Sequence, residues 1–402
     1  MKRAVIAIAA ILCGSLVAQA SFAADPTPDD LVQALGSPDF NDREFASERL
    51  LALGLDAKGA LDAGVKSSDR EIRYRCLRIL AILEEKDFVR RLQAFENGQP
   101  SPDGQELPMW PEVRERFGDE APIRKLFAEM TREERELLAA AAKGAEALEP
   151  VFDQRLADVQ FELNAGQAMK LGTAAAFLLA ADVEDFHPKQ YHFNAMNSLW
   201  HQQTFRSGIE AGKTRVMLRA LASDFIVQMY GPDAYTGLHW AMQCDLPAGV
   251  ELARKTLDNE RNAQEHVTQH AMLTLAKFGD KKDIVHLEPF FTDEATLHQN
   301  EENGRHRETQ IRDLAAVVTI HLLGRGPEEF GFGKPIPHPT VVFNSSTVGF
   351  FDAESRKKSF AALEAFRKNG TEPAGFDKQA GDHAPDDPKS ARKAAPVEAE
   401  RN

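Results

Sequence analysis

The feature that most constrains the fold is a pattern near the N-terminus that recurs after thirty residues. Residues 37–54 read SPDFNDREFASERLLALG, and residues 67–83 read SSDREIRYRCLRILAIL. The residues aligned at this offset are Ser37/Ser67, Asp39/Asp69, Arg43/Arg73, Ala46/Cys76 and Leu50/Leu80. A helical hairpin of this length cannot bury both of its apolar faces alone, so the pattern predicts hairpins that stack as an α-solenoid.

Helical periodicity continues along most of the chain, whereas the strand-like alternation of apolar and polar residues is almost absent. We therefore predict an all-α fold. The first repeat predicts helices over 29–37 and 41–53, with Gly54 ending the second helix, and the next repeat predicts helices over 58–68 and from Arg70 onward. The β-branched, Pro-broken stretch 335–350 predicts an extended connector, or at most a short hairpin.

Shifts in composition divide the chain into segments. They are a signal peptide (1–24), N-terminal helical hairpins (25–97), a Pro/Gly-rich loop (98–122), a central helical region (123–232), C-terminal helical hairpins (233–330), an extended connector with a capping helix (331–370) and a disordered tail (371–402). Asp352 and Gly370 suit the two ends of the capping helix. The tail has too few large apolar residues to offset the entropy cost of ordering.

The first residues have the layout of a secretory signal peptide. Lys2 and Arg3 precede an uncharged apolar stretch, 4–18, and the small residues that follow predict cleavage after Ala23 or Ala24. Cys13 would suit a lipid anchor, but Leu12 stands where such a site needs a small residue. We therefore expect export to the periplasm or the extracellular space. The two later cysteines, Cys76 and Cys244, are predicted to be small buried side chains.

The charge balance bears on the class of partner. The chain carries a formal net charge of −14, and removing Lys2 and Arg3 would make it more negative. Such a chain repels phosphate backbones, so we expect no nucleic-acid partner. After the signal peptide, the most apolar segment is LGTAAAFLLAA, at 171–181. It is too short to cross a bilayer and predicts a buried helix, so we expect no transmembrane segment in the mature chain.

The Asp and Arg residues of the repeat suit a structural role. An Asp at a helix start accepts hydrogen bonds from free backbone N–H groups. An Arg four residues later lies one turn away, where it could reach that carboxylate or the carboxylate of the next hairpin. A catalytic carboxylate would need a cleft and a partner group, and neither is evident from the sequence.

The paired units 29–54 and 58–83 resemble HEAT repeats, in the Asp-then-Arg form found in exported bacterial HEAT-like proteins. Later segments such as LPMWPEVRERFGDEAPIRKLFAEM and VGFFDAESRKKSFAALEAFRKN are similar to the later parts of such proteins. The resemblance implies a superhelical array that binds macromolecules and has no catalytic residues. We also predict no cofactor and no metal site. Carried over, Asp39, Arg43, Asp69 and Arg73 form a structural polar ladder. The thirty-residue register is lost between 98 and 230.

The densest cluster of aromatic and polar residues is FHPKQYHFNAMNSLWHQQTFR, at 186–206. Aromatic side chains beside amides and imidazoles suit an interface or a pocket, although they also suit a helix that packs its aromatic side inward. Asn194, Asn197 and His201 can share one helix face. The predicted partner-binding residues are Tyr191, Asn194, Asn197, Trp200 and His201.

Other functions remain as alternatives. His266 and His270 are spaced to face a metal from one helix, but the HExxH pattern is absent and no third ligand is evident. A Ser–His–Asp arrangement needs no proximity in sequence. We therefore predict a scaffold that binds a protein or peptide, with an enzyme or metal-binding protein centred on the middle of the chain as the alternative. A purely structural envelope component is a third possibility. The sequence leaves the partner's identity and the oligomeric state open.

Overall fold

The structure, a computed structural model of the 402-residue chain, describes residues 25–101, 104–259, 264–302 and 304–370. Most of these residues are helical, so the prediction of a mainly α-helical chain is confirmed at that level. The predicted signal peptide and disordered tail lie outside the described residues. Two compact units, Met1–Gly104 and Gln105–Asn402, are described separately below.

Unit 1 consists of two helix pairs. Hairpin 1 contains α1 (Pro28–Ala34) and α2 (Phe40–Leu53), and hairpin 2 contains α3 (Lys58–Gly64) and α4 (Arg70–Glu96). Helix α1 packs against α2 and α3, while α4 packs against α3 and α2. The core shared by the two hairpins includes Leu31, Val32, Leu35, Ala46, Leu50, Leu61, Ile72, Cys76, Ile79, Leu80 and Leu83.

The second helix of each hairpin begins in the same way. Asp39 and Asp69 are the N-caps, and the Oδ1 atom of each accepts a hydrogen bond of 2.7 Å from the backbone N–H two residues later. Each cap satisfies a helical donor that would otherwise have no partner. Helix α2 ends at Leu53, and Gly54 follows with φ +65°, so the predicted helix stop is confirmed.

The two arginines do not contact the Asp carboxylates four residues before them. Arg43 Nη1 donates to the carbonyl oxygens of Ser37 and Pro38, at 2.7 and 3.1 Å. Arg73 Nη1 makes the equivalent bonds to the carbonyls thirty residues later, at 2.7 and 2.8 Å. The carboxylates already accept backbone N–H groups, whereas the carbonyls of the preceding turn have no helical donors. The arginines therefore close that turn.

The Pro/Gly-rich segment 98–122 is not a loop throughout. Helix α5 (Trp110–Phe117) lies within it, and α6 (Ala121–Glu133) starts before its end. Trp110 and Val113 are buried, and the Trp110 ring lies 5.2 Å from that of Phe127 on α6. Pro111 sits in the first turn of α5, where the missing N–H removes no helical bond, so the prolines here begin helices instead of preventing them.

Unit 2 continues with a series of helices. They are α7 (Arg135–Ala141), α8 (Ala145–Asn164), α9 (Leu171–Ala180), α10 (Gln190–Trp200), α11 (Gln203–Glu210), α12 (Arg215–Val227), α13 (Asp233–Gln243), α14 (Gly249–Asn259), α15 (Glu265–Phe278) and α16 (Ile284–Leu287). Helix α9 is the predicted buried helix, and this prediction is confirmed because residues 172–180 are all buried. Gly172 allows α9 to approach the α6 backbone, since a Cβ there would lie 2.7 Å from the Glu129 carbonyl.

Two strands interrupt the segment 233–330, so the prediction of helical hairpins throughout it was wrong. Strands β1 (Thr296–Glu302) and β2 (Arg305–Gln310) pair antiparallel and lead into α17 (Ile311–Leu322). Glu302 pairs with Arg305, and Gly304, which precedes Arg305, has φ +73°. An Asn-Gly pair is the preferred sequence for such a two-residue turn, and this local preference prevails over the helical context.

The C-terminal described segment contains a second, shorter hairpin, formed by β3 (Pro337–His338) and β4 (Val342–Phe343). It corresponds to the hairpin alternative for 335–350. The predicted capping helix is α18 (Ala353–Asn369), which Asp352 caps by accepting the Ser355 N–H at 2.7 Å. Gly370 ends the helix with φ +64°. Within the part of the chain that the structure describes, no helix is long and apolar enough to cross a membrane.

Candidate functional site

Helix α10 carries most of the predicted partner-binding residues and lies between α8 and α13. Gln160 on α8 donates to the Ala195 carbonyl at 2.7 Å. Trp240 on α13 donates from Nε1 to Asn197 Oδ1 at 3.4 Å. Phe193 and Met196 are buried, whereas Asn194 is exposed. The helix therefore packs one side inward and presents polar side chains on another.

Tyr191 belongs to a hydrogen-bond network at the start of α10. Its hydroxyl donates to Asp153 Oδ1 at 2.9 Å, and His192 Nε2 lies 2.6 Å from the same oxygen. The Lys189 N–H donates to His192 Nδ1 at 2.9 Å, so the Nε2 atom carries the proton that Asp153 accepts. Both ring nitrogens of His192 are therefore occupied. This histidine is 0% exposed, and we assign it a structural role.

The charge of Asp153 helps to fix Tyr191. Burial pushes the pKa of this carboxyl upward, but the hydrogen bonds from His192 and Tyr191 outweigh it, and the pKa lies below its usual value. Asp153 is therefore ionised at neutral pH and remains an acceptor for the Tyr191 hydroxyl. Lys189 Nζ lies 5.9 Å from the centre of the Tyr191 ring. Tyr191, about half exposed, is thus a positioned aromatic side chain.

The other end of α10 approaches a group of rings from α13 and α15. His201, just after α10, packs edge-on against Trp240, with ring centres 5.4 Å apart. Next to Trp240 on α13, the His239 ring is centred 5.9 Å away. Tyr235 lies one turn earlier on α13, and the centre of its ring is 4.5 Å from that of His270 on α15.

We call this group the histidine–aromatic surface. It comprises Asn197, His201, Tyr235, His239, Trp240, His266 and His270. It joins the two regions that the sequence marked separately, the cluster at 186–206 and the His266/His270 pair. The link is α13, whose Tyr235 ring lies 5.1 Å from that of His266 and stacks at 6.0 Å on that of His239. His201 and His266 are exposed, the Trp240 side chain is buried, and the other rings are half-buried.

The half-buried histidines are held in the neutral form. Burial lowers the pKa of His239, and the nearby His201 lowers it further. Burial also lowers the pKa of His270, although the hydrogen bond between Nδ1 and the His266 carbonyl, at 2.8 Å, acts in the opposite direction. The histidines at 239 and 266 add to the lowering. At neutral pH His239 and His270 therefore present uncharged imidazoles beside aromatic rings.

A metal site is not evident at this surface. Among the described residues, no group of three or more His, Cys, Asp or Glu side chains is arranged to hold a metal ion. The Nδ1 atom of His270 is engaged by the His266 carbonyl, and the Tyr235 ring packs against both imidazoles. Aromatic contact and the backbone hydrogen bond therefore account for the i, i+4 pair.

A Ser–His contact elsewhere in unit 2 was not predicted. Ser345 Oγ lies 3.0 Å from His298 Nε2 and accepts a hydrogen bond from Gln269 Nε2 at 2.6 Å. Ser345 is only 3% exposed. A nucleophile must be reachable by its substrate, so we interpret this contact as a polar link between β1 and α15.

The five residues predicted to bind a partner do not form one group. Tyr191 belongs to the Asp153 network, Asn197 and His201 meet at Trp240, and the Trp200 side chain lies outside the described part. The residues of α13 were not predicted from the sequence. Their signal was the i, i+4 spacing of Tyr235 and His239, which also fits an ordinary buried helix.

Comparison with known proteins does not extend these observations. The chain matches no protein-family model, no curated protein and no solved structure. Its function is therefore inferred from its own contacts.

Proposed function

We propose that this chain is a non-catalytic, HEAT-like helical scaffold that binds a protein partner through the histidine–aromatic surface. The observation that carries the proposal is the convergence of four imidazoles and two aromatic rings from the end of α10, α13 and α15. The exposed and half-buried side chains among them supply contact area together with hydrogen-bonding atoms, as at the centres of protein interfaces, and the buried Trp240 supports them from below.

The chemistry of the surface favours an uncharged partner segment. The neutral forms of His239 and His270 remove the positive charge that would attract an acidic peptide. A neutral imidazole has one donor and one acceptor nitrogen, so it can bond to the backbone of a partner. The adjoining rings suit an aromatic or aliphatic side chain. The proposed ligand is therefore a protein segment with an exposed apolar residue.

Two observations favour a scaffold over an enzyme. His192, which has a carboxylate partner, is buried and uses both ring nitrogens. Ser345, which has a histidine partner, is also buried. Neither pair offers a reactive atom to a substrate.

The HEAT-like assignment rests on unit 1, where the two hairpins repeat the same caps and the same Arg–carbonyl bonds. An α-solenoid of such hairpins, with Asp39, Arg43, Asp69 and Arg73 in structural positions, remains part of the proposal. The predicted signal peptide places the partner in the periplasm or outside the cell, and the disordered tail also remains a prediction.

Site-specific photo-crosslinking tests the proposal. A benzophenone amino acid is placed at His266, which is exposed on the surface, or at His306, which is exposed on β2 and serves as the control. We expect a discrete protein adduct in envelope extract from position 266, absent from position 306 and lost when Tyr235→Ala is added. Equal adduct patterns from both positions, or no adduct from position 266, would overturn the proposal.

Metal analysis tests the alternative directly. The purified full-length chain is dialysed against trace zinc and assayed for bound metal, next to the His270→Ala variant. The scaffold proposal predicts no stoichiometric metal in either protein. One metal ion per chain that disappears in His270→Ala would favour a metal-binding protein instead.

A further inference from the structure

Unit 1 ends in a face that its own repeat leaves uncovered. A groove of about 610 Å³ lies between α3 and α4 on the far side of hairpin 2. It is lined by Asp62, Val65, Lys66, Leu77, Leu80, Ala81 and Glu84. The equivalent residues of hairpin 1, thirty positions earlier, are Val32, Leu35, Gly36, Ser47, Leu50, Leu51 and Gly54. Of these, Val32, Leu35 and Leu50 are buried in the core shared with hairpin 2, so the groove is the repeat equivalent of a covered face.

The contacts between hairpins 1 and 2 show how a further hairpin would bind. Arg75 of hairpin 2 donates from Nη1 to Glu44 Oε1 at 2.8 Å and to Ser47 Oγ at 3.3 Å. The residue equivalent to Arg75 in hairpin 1 is Phe45. The residues equivalent to Glu44 and Ser47 in hairpin 2 are Tyr74 and Leu77.

At the two outer faces of unit 1, the polar residues of this contact are thus replaced by the apolar residues Phe45, Tyr74 and Leu77. Phe45 is 56% exposed, Tyr74 is 61% exposed and Leu77 is 54% exposed. Covering large apolar side chains with this exposure lowers the free energy. Phe45 lies on the leading face of hairpin 1, while Tyr74 and Leu77 lie on the trailing face of hairpin 2. The chain therefore carries both halves of one apolar contact, at opposite ends of unit 1.

Two further equivalent pairs are compatible in charge. Gly36 and Ile72 are in contact across hairpins 1 and 2, since a Cβ on Gly36 would lie 3.0 Å from the Ile72 side chain. Their equivalents are Lys66 on the trailing face and Asp42 on the leading face, which have opposite charges. Arg43 and Glu71 form an ion pair at 3.8 Å. The residues equivalent to them are Arg73 on the trailing face and Asn41 on the leading face, and the uncharged Asn41 does not repel Arg73.

We propose that two copies of this chain associate head to tail, with hairpin 1 of one copy packed on the open face of hairpin 2 of the other. Phe45 of the first copy then covers Tyr74 and Leu77 of the second, and Asp42 pairs with Lys66. The contact is continuous with the established packing inside unit 1. It joins two different faces, so an open assembly of any length keeps one uncovered face of each kind and can add further copies.

Mixing two variants of the full-length chain tests this arrangement. Phe45→Glu damages only the leading face and Leu77→Glu only the trailing face, and both residues are exposed, so the fold of each chain should survive. Sedimentation velocity measures the mass of each protein across a concentration series. Val89→Glu, which alters an exposed apolar residue of α4 outside the proposed contact, is the matched control.

We expect the wild type and Val89→Glu to gain mass with concentration beyond that of a dimer. Each of the other variants alone should stay monomeric. An equimolar mixture of the two should stop at about twice the mass of one chain, because one intact face of each kind remains. A wild type that stays monomeric throughout, or variants that associate as the wild type does, would overturn the proposal. A mixture that stays monomeric would also overturn it, because a head-to-tail contact requires this complementation.

Discussion

At the residue scale, the repeat is defined by how two arginines close a turn. Arg43 and Arg73 each donate to two backbone carbonyls that precede the second helix of their hairpin. The Ser37 and Ser67 carbonyls are half-buried, where a missing donor is costly, so these bonds stabilise the turn between the two helices. The repeated spacing within the chain thus reflects a local structural need.

Replacing Arg73 tests this account. We expect Arg73→Ala to lower the free energy of unfolding by about 1 kcal/mol, because two hydrogen bonds from a charged, partly exposed donor are lost. The measurement is urea unfolding followed by circular dichroism. Arg78→Ala, at an exposed position on the same helix, should change stability much less. Equal stability of Arg73→Ala and the wild type would contradict the role given to this arginine.

The half-buried histidines predict a pH dependence of stability. Their unfolded pKa is about 6.5, and the folded pKa values of His239 and His270 are lower. Below about pH 6.5 the unfolded chain therefore binds more protons than the folded chain does. The free energy of unfolding decreases as the pH falls, until the folded pKa values are passed. Above that window the contribution is fully present.

Urea unfolding at pH 7.5 and pH 5.5 measures the effect. The double variant His239→Gln/His270→Gln should lose less stability between the two values than the wild type does. His306→Gln, at an exposed position on β2, should retain the wild-type loss. If the double variant showed the full loss, the destabilisation at low pH would have to arise elsewhere.

The sequence predicted the helix caps but not the destination of the arginines. Asp39 and Asp69 precede helical residues, and a cap depends only on neighbours two or three positions away. Arg43 could reach either the Asp39 carboxylate or the carbonyls of the turn. The choice depends on the path of the turn between the helices, which the residue spacing does not specify.

At the element scale, the β1–β2 hairpin shows where helical periodicity was a poor guide. The two strands contain many charged residues, and no clean alternation of apolar and polar residues marks them. The remaining signal was Asn303–Gly304, since this dipeptide favours a two-residue hairpin turn. The helices around it were easier to predict, because each buries one continuous apolar face.

Helix α18 depends on a buried ion pair. Arg356 donates from Nε to Asp313 Oδ1 on α17 at 3.0 Å and from Nη2 to the Glu308 carbonyl of β2 at 3.0 Å. Asp313 is fully buried. We expect Arg356→Met to lower the free energy of unfolding by about 3 kcal/mol or more, because an uncompensated carboxylate remains in the core.

Chemical unfolding and limited proteolysis measure this loss. Lys357→Met, at the neighbouring exposed position, is the matched control and should behave as the wild type does. Adding Asp313→Asn to Arg356→Met should recover part of the loss, since the buried charge is removed. An Arg356→Met variant as stable as the wild type would show that α18 is held by its apolar contacts alone.

At the scale of the whole molecule, the two units differ in how far the sequence could predict them. Unit 1 is built from two hairpins whose equivalent residues are thirty positions apart, so a repeat in the sequence indicates its packing directly. The histidine–aromatic surface combines residues from 197 to 270, and no repeat relates them. Their convergence depends on how α10, α13 and α15 pack together. The sequence could therefore mark the individual histidines but not the surface that they form.

The affinity of the partner identified by crosslinking shows whether the histidine–aromatic surface binds it. Isothermal titration calorimetry compares the wild type with Tyr235→Ala, His266→Ala and, as a control within unit 1, Arg73→Ala. We expect the dissociation constant to rise by about tenfold or more in the first two variants, because each truncates an interface anchor. Arg73→Ala should bind the partner as the wild type does. Unchanged affinity in both surface variants would contradict the claim that this surface binds the partner.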